Sequence, residues 1–168
     1  MDYKPNRFES TSLATVIGDA LRARDAYAAE ECVTSMATLV SPLASPASVR
    51  VVDLTNIGLN AKELRDLPML LNRCAALQWL MLRNVGLKSV DGFRLPHLQI
   101  CNLSQNEIAD IKSVARLILA SPALASLDLR GNPCANKPQV RERLAACSAT
   151  LALREIDGVE LSVSERLA

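Results

Sequence analysis

The sequence has little of what enzymes, nucleic-acid-binding proteins and membrane proteins usually need. Its 168 residues include one histidine, and 19 basic residues are balanced by 18 acidic ones, which leaves a net charge of +1. That balance gives no field to attract nucleic acid or an anionic membrane directly. No window approaches the roughly 18 apolar residues of a membrane span, and the start MDYKPNRFES lacks the apolar run of a signal peptide. These absences predict a soluble, intracellular protein.

The reactive side chains of the sequence do not form a recognisable catalytic or metal-binding arrangement. The five cysteines, at positions 32, 74, 101, 134 and 147, are odd in number and irregularly spaced, which argues against both a disulfide framework and a zinc site. The single histidine, His97, precedes an apolar segment and is expected in a solvent-exposed turn. There is no glycine-rich phosphate loop and no nucleophile with a histidine partner. We therefore expect no enzyme, no metal, no cofactor and no small-molecule substrate.

What the chain does contain is an apolar repeat with the spacing L-x-x-L-x-L-x-x-N-x-L. One copy consists of Leu98, Cys101, Leu103, Asn106 and Ile108, and a second of Leu124, Leu127, Leu129, Asn132 and Cys134. Residues two apart in a strand share a face, so each copy predicts a strand with one buried side. The asparagine can satisfy backbone groups where the chain turns back, and both cysteines replace leucine as small buried apolar residues. Segment 108–121 returns with helical spacing, which completes one coil of a leucine-rich repeat solenoid.

Two earlier segments fit the same repeat less well. Residues 49–59 and 77–87 carry its leucines and valines, but Ile57 and Val85 stand where asparagine is expected. Counted between Leu54, Leu82, Leu103 and Leu129, the repeat lengths are 82−54 = 28, 103−82 = 21 and 129−103 = 26. A length of 28 has room for a helix, whereas 21 allows only a short 3₁₀-like turn at 88–97. Unequal repeats predict an irregular arc.

A stack of repeats must be covered at both ends, and the flanking sequence fits that need. Residues 1–48 are interpreted as a tail, a helical cap over about 12–40 and a Pro/Ser-rich linker. Residues 49–134 hold about four repeats, and 135–168 form a C-terminal cap with a helix at 138–147 and a strand-like piece at 153–161. The predicted fold class is therefore α/β: a right-handed solenoid with a curved parallel sheet on its concave side and helices and 3₁₀ turns on its convex side.

The C-terminal segment resembles the cap of the SDS-type leucine-rich repeat proteins. The motif N-P-x-x-N-K is matched, and I-D-G with a following E-R stands where the cap has L-D-G and E-R. The matching residues are Asn132, Pro133, Asn136, Lys137 and Arg141, then Ile156, Asp157, Gly158, Ser162, Glu165 and Arg166. Proteins with this cap include the A-prime subunits of the U-two small nuclear ribonucleoprotein, to which the chain is most similar in size and in the NPxxNK element. The resemblance implies a nuclear or cytoplasmic interaction protein.

The candidate site is the outward side of the predicted sheet. Its residues include the types enriched at protein interfaces, Trp, Met and Arg. The partner-binding residues predicted there are Asp53, Trp79, Met81, Arg83, Ile100, Asn102, Asp128 and Arg130. Alternatively, Trp79 packs against neighbouring residues, and the two arginines pair with Asp53 or Asp128. Arg83 and Asp128 are expected about 10 Å apart, two strands away from each other, and available to charges of a partner.

We therefore predict a protein–protein interaction module that binds a helix or loop of a partner on its concave sheet face. One alternative is a ribonucleoprotein subunit that acts as the protein cofactor of an RNA-binding partner and touches RNA at most indirectly. A further alternative is a ciliary or dynein-associated adaptor, since such proteins share the same cap.

Overall fold

The computed structural model describes residues 32–40, 46–148 and 152–167. The predicted tail at 1–9, most of the predicted helix 12–40 and most of the linker lie outside these residues. Within the described part of the chain, none of the helices has the length and apolar content that crossing a membrane requires.

The described strands form one sheet of seven strands in chain order. They are β1 (Cys32–Val33), β2 (Val51–Asp53), β3 (Trp79–Met81), β4 (Ile100–Asn102), β5 (Ser126–Asp128), β6 (Glu155–Ile156) and β7 (Val159–Glu160). All neighbours pair in parallel except β6 and β7, which form an antiparallel hairpin. The register aligns Val52, Leu80, Cys101 and Leu127, all completely buried, on the side facing the core. The α/β leucine-rich repeat fold is confirmed.

Helices return the chain between strands wherever the repeat is long enough. They are α1 (Met36–Val40), α2 (Ala61–Asn72), α3 (Ile111–Ala120), α4 (Val140–Ala145) and α5 (Val163–Leu167). In the 21-residue repeat between β3 and β4, the chain instead makes turns closed by the Phe93 N–H to Val90 and the Leu98 N–H to Leu95 carbonyls. The predicted link between repeat length and helix is confirmed. We call the sheet face opposite the helices the concave face.

The sheet extends further toward the N-terminus than the leucine spacing indicated. A helix was expected to run to residue 40, but Cys32 and Val33 form β1, in register with Val51 and Val52. Within the described residues 32–40, helical structure is present at Met36–Val40, with Met36 and Leu39 buried. The helical interpretation is therefore wrong for Cys32 and Val33, which add a parallel strand before the first recognised repeat.

The two repeat asparagines hold adjacent coils together. Asn106 makes four hydrogen bonds of 3.1 Å or less: its Oδ1 accepts the N–H groups of Val85 and Leu87, and its Nδ2 donates to the carbonyls of Leu82 and Leu103. Asn132 repeats this arrangement one coil later, and its Oδ1 accepts the N–H of Ile108 at 3.0 Å. Both side chains are buried, so the predicted structural role of the asparagines is confirmed.

The C-terminal cap closes the far end of the sheet. The predicted strand at 153–161 is a hairpin that turns at Asp157 and Gly158, both with positive φ. Arg141, on α4, donates its guanidinium hydrogen bonds to the carbonyls of Ile156, Val159 and Glu160. One side chain of the cap helix thereby ties down the last two strands of the sheet.

Candidate partner-binding face

The concave face carries side chains in rows that cross the strands. The register defines the first row as Val51, Trp79, Ile100, Ser126 and Glu155, and the second as Asp53, Met81, Asn102 and Asp128. A third row, at the carboxyl ends of the strands, consists of Thr55, Arg83, Ser104 and Arg130, whose strands remain joined by backbone hydrogen bonds there. All eight predicted site residues therefore lie on this one face.

Their exposure differs from what strand alternation indicated. Arg83 and Arg130 are exposed, and Trp79 and Asp53 are half-buried. The other four are closed off from solvent, with exposed fractions of 0% for Met81, 5% for Ile100, 6% for Asn102 and 2% for Asp128. Alternation decides which face a side chain is on, but burial also depends on what surrounds it. The expectation that these four are available at the surface is wrong, while a role for them in partner binding stays a prediction.

The polar residues of the second row have a structural use that the sequence reasoning missed. An Oδ1 atom accepts the N–H two residues later in three of them, at 2.9–3.1 Å: Asp53 from Thr55, Asn102 from Ser104 and Asp128 from Arg130. Such turns satisfy backbone groups where a strand ends. The signal was present as the recurring Asp/Asn-Leu-Thr/Ser/Arg at each strand end, which Met81 interrupts.

Asp128 is also the ion-pair partner of Arg130. The Arg130 Nε lies 3.0 Å and 3.2 Å from the two carboxylate oxygens of Asp128, and Nη2 donates to the same carboxylate. This bond raises the pKa of Arg130 above its usual value. The alternative that Arg130 pairs with Asp128 is thus confirmed, and Asp128 is not an exposed charge. Arg83, by contrast, has no ion pair among the residues that the structure describes.

A hollow lies at the carboxyl ends of the central strands, lined by Arg83, Ser104, Gln105, Asp128 and Arg130. Gln105 reaches over Gly131, and a Cβ atom there would come within 2.6–2.9 Å of the Gln105 amide. Gly131 also has a φ of +79°, which disfavours other residues. The glycine therefore lets the glutamine side chain form one wall of the hollow between the two arginines.

Glu155 is the residue of this face that sequence reasoning missed altogether. Its side chain is 1% exposed, and its Oε1 accepts a 3.1 Å hydrogen bond from the Ser126 hydroxyl. Oε2 has no hydrogen-bond partner among the residues that the structure describes. The pKa of Glu155 is raised, mainly by burial and to a smaller extent by the negative charges of Asp128 and Glu160. The hydrogen bond from Ser126 and the positive charge of Arg130 lower it by less. Nothing in the leucine spacing signals that a carboxylate occupies this row.

Comparison with known proteins shows what this chain is similar to. The chain is 34% identical over 124 residues to the U2 small nuclear ribonucleoprotein A' of Eremothecium gossypii, an alignment covering 73% of this chain and 49% of the relative. The chain is a leucine-rich repeat protein similar to U2 A'. It spans about half the length of that curated relative. No protein-family profile matches the sequence.

Solved structures show the same fold at lower identity. A chain in the crystal structure of the Drosophila melanogaster SNF/U2A' complex superposes with a TM-score of 0.50 and 20% identity, covering 71% of this chain and 61% of that one. A chain in the structure of the Chaetomium Mex67:Mtr2 subunits gives a TM-score of 0.53 and 20% identity, covering 68% and 84%. Both support the leucine-rich repeat architecture predicted from the spacing.

The remaining sequence expectations concern the histidine, the cysteines and metal binding. His97 is exposed in a turn, as expected. Cys101 and Cys134 are free thiols buried at leucine positions of the repeat, also as expected. Burial raises the pKa of both thiols, so they remain protonated and unreactive. Among the described residues, no group of three or more His, Cys, Asp or Glu side chains is arranged to hold a metal ion.

The buried carboxyl group of Glu155 predicts a pH dependence of stability. Because its folded-state pKa is raised, the folded chain holds the proton more tightly than the unfolded chain. The resulting stability is fully present below the ordinary glutamate pKa of 4.5 and is lost as pH rises through the folded value. Glu155→Gln removes the buried charge and keeps an oxygen that can accept from the Ser126 hydroxyl, so the variant should be about 1 kcal/mol more stable at pH 7.5.

Urea denaturation at pH 4 and pH 7.5 measures this effect. The gain of Glu155→Gln over the parent chain should be larger at pH 7.5 than at pH 4. Glu107→Gln is the matched control, because Glu107 is exposed and should change stability by no more than about 0.5 kcal/mol. A Glu155→Gln chain that is less stable than the parent at pH 7.5 would show that the carboxylate is stabilising.

Proposed function

We infer that this chain is a non-enzymatic interaction module that holds a helix or loop of a partner protein on its concave face. The observation that carries this inference is the placement of Trp79, Arg83 and Arg130 together on one face, with the tryptophan half-buried and both arginines exposed. Tryptophan and arginine dominate interface hot spots, because a rigid aromatic body and a planar donor group give much contact at modest entropic cost.

The similar proteins support a partner protein rather than a substrate. One solved neighbour is a chain of the SNF/U2A' complex and the other belongs to the Mex67:Mtr2 subunits, so each was determined together with a protein partner. The curated relative is a ribonucleoprotein component. These likenesses favour an interaction role without catalysis for the present chain.

A second, more specific candidate function is that of a U2 A'-like subunit in the nucleus. The 34% identity over 124 residues favours it. In this role the chain would act as the protein cofactor of an RNA-binding partner. Its net charge of +1 gives little attraction for RNA phosphates, so contact with RNA would pass through that partner.

A pull-down from cell extract, with and without ribonuclease, tests both functions. The immobilised chain should retain a defined protein partner, and that partner should remain after ribonuclease treatment if the contact is protein to protein. If a small nuclear RNA co-purifies with the partner, a salt wash that removes the partner tests how the RNA is held. Loss of this RNA in the same wash supports the ribonucleoprotein role. Partner loss on ribonuclease treatment would contradict a direct protein contact.

Trp79→Ala should weaken binding of the captured partner by at least about 2 kcal/mol, the size of an interface hot spot. The reason is that Trp79 supplies the largest side chain of the first row. Affinity is measured by surface plasmon resonance and stability by a thermal melt. Met69→Ala is the matched control, because Met69 is a large exposed apolar residue of α2, away from the concave face. Unchanged affinity combined with severe destabilisation would place Trp79 in the core instead.

Arg83→Glu should slow association with the same partner and change the salt dependence of the on-rate, because exposed charges at an interface act mainly on encounter. Folding should change by no more than about 0.5 kcal/mol. Stopped-flow association at two salt concentrations measures the rate. Arg94→Glu is the control, since Arg94 is also exposed but lies in the turn segment between β3 and β4. Equal on-rates for both variants and the parent chain would mean that the partner docks elsewhere.

A further inference from the structure

Two exposed arginines line the hollow at the carboxyl ends of the central strands. Arg83 and Arg130 stand in the third row, two strands apart, with Ser104 between them. Neighbouring strands are about 4.8 Å apart, which separates the two backbones by about 10 Å. An arginine side chain is long enough to cover half of that distance, so both guanidinium groups can approach one ligand held above Ser104.

The two arginines differ in how far their charge is already balanced. Arg130 donates from Nε and Nη2 to Asp128, whose side chain is only 3% exposed. The Arg130 side chain itself is 47% exposed, and its Nη1 atom is not used in this ion pair. Asp128 therefore fixes the orientation of the guanidinium and leaves its outer edge accessible to a second acceptor. Arg83 is exposed and forms no ion pair with any described residue.

The hollow is accessible from solvent, because Arg83, Gln105 and Arg130 are all exposed. The residue between the arginines is short: Ser104 is 4% exposed, and its hydroxyl is bonded to Asn102 Oδ1 at 2.6 Å, below the opening. The Gln105 amide, which can donate as well as accept, forms one wall. A ligand that enters from the concave side therefore meets three donor side chains without displacing a buried group.

The charges of the lining residues decide which ligand fits. Two guanidinium groups and the Asp128 carboxylate leave one positive charge in excess. Asp157 and Glu155 act on Arg130 more weakly than Asp128 does, and neither lines the hollow. One carboxylate would balance the excess, whereas a phosphate monoester, with about 1.5 to 2 negative charges, would exceed it. A nucleic-acid phosphate is disfavoured because the chain's net charge of +1 gives little attraction for nucleic acid.

We propose that this hollow binds the carboxylate of an aspartate or glutamate side chain on the helix or loop of the partner protein. This proposal rests on the function inferred above and specifies the chemistry of the partner. A carboxylate fits because its two oxygens accept hydrogen bonds from the planar donor edges of Arg83 and Arg130. Its slender methylene stem passes between the exposed side chains, whereas a carboxylate at a chain terminus carries bulk on the adjacent carbon.

The test is a titration of the full chain with N-acetylglutamate N-methylamide, whose side-chain carboxylate is its only charge. NMR of the arginine Nε–H groups follows binding. The resonances of Arg83 and Arg130 should shift saturably, whereas the uncharged glutamine derivative should cause no saturable shift. Arg83→Gln should weaken binding of the probe at least fivefold. Arg94→Gln is the matched control and should leave binding unchanged, because Arg94 is exposed in the turn segment between β3 and β4.

Gln105→Glu gives a second, independent measurement. The substitution keeps the size of the side chain and places a carboxylate of the chain itself between the two arginines. This carboxylate should compete with the probe and weaken its binding at least fivefold. Gln99→Glu is the control, because Gln99 is also exposed but lies just before β4, at the opposite end of that strand. It should leave probe binding unchanged.

Three results would overturn the proposal. The first is that neither arginine resonance shifts saturably with the probe. The second is equal probe affinity in the parent chain, Arg83→Gln and Gln105→Glu. The third is tighter binding of dimethyl phosphate, inorganic phosphate or N-acetylalanine, which would assign the hollow to a nucleic acid, a phosphorylated residue or a chain terminus. No partner protein is used, so failure of the carboxylate site is distinguished from failure of the interaction function, which the pull-down measures.

Discussion

Asn106→Ala should lower the free energy of unfolding by at least about 3 kcal/mol. The side chain is buried and satisfies two backbone N–H groups and two carbonyls at 2.7–3.1 Å. Alanine leaves the two N–H groups and the Leu82 carbonyl without this partner, while the Leu103 carbonyl keeps the amide of Asn132 as a donor. Each unsatisfied buried group costs about 1–3 kcal/mol. Water entering the space would recover part of that cost, so the lower end of the sum is expected. Urea denaturation followed by circular dichroism measures the change.

Asn136→Ala provides the matched control for this variant. Asn136 is exposed in the 3₁₀ turn after the last repeat, and its replacement should change stability by no more than about 0.5 kcal/mol. If Asn106→Ala were as stable as Asn136→Ala, the buried amide would not hold the coils together. The asparagine of the repeat would then have to be explained by its turn preference alone.

Ending the chain after Asn132 should give an insoluble product, which is the second large effect. The cut removes β6 and β7 and therefore the hydrogen bonds that β5 receives from the next coil. These include the Asp157 N–H to the Leu127 carbonyl at 2.9 Å and the Leu129 N–H to the Asp157 carboxylate. Leu127 and Leu129, both fully buried, would lie at an open strand edge, which solenoids must cover to stay soluble.

A milder truncation separates the effect of exposing the edge of β5 from the effect of shortening the chain. Ending after Ser162 removes α5 and the Arg141–Glu165 ion pair but keeps both cap strands. This shorter chain should stay soluble and melt cooperatively at a lower temperature. Solubility, light scattering and thermal melts of the two products give the comparison. A soluble, monomeric and cooperatively melting 1–132 fragment would show that the cap is dispensable for the repeats.

The leucine spacing was sufficient to predict the architecture. A strand with one apolar face, followed by a turn and repeated along the chain, buries that face by stacking against the next copy. It predicted the inward positions Leu80, Cys101 and Leu127 and the buried amides of Asn106 and Asn132. The lengths of 28 and 21 residues predicted where a helix forms and where the chain only turns. Each of these predictions depends on residues close together in the chain, which is why the sequence was informative.

The candidate site was less predictable, because exposure depends on contacts between distant parts of the chain. Alternation placed Met81 and Asp128 on the correct face but could not show that both are buried. The ion pair of Asp128 with Arg130 was weighed as an alternative, whereas the turn bonds of Asp53 and Asn102 were not. Cys32 and Val33 escaped notice because a two-residue strand has too few positions to show a period.

The uneven distribution of asparagine along the repeats has a consequence for motion. Asn106 and Asn132 join the later coils through buried side chains. Between the coils of β2 and β3, Asn84 Nδ2 donates an exposed 3.1 Å hydrogen bond to Asn56 Oδ1. Solenoids open first at the weakest interface between neighbouring coils. Backbone amides next to β2 should therefore exchange with solvent sooner than those around β4. A ligand that contacts both Asp53 and Trp79 would stabilise the interface between β2 and β3. The first coils would then unfold cooperatively with the rest of the solenoid.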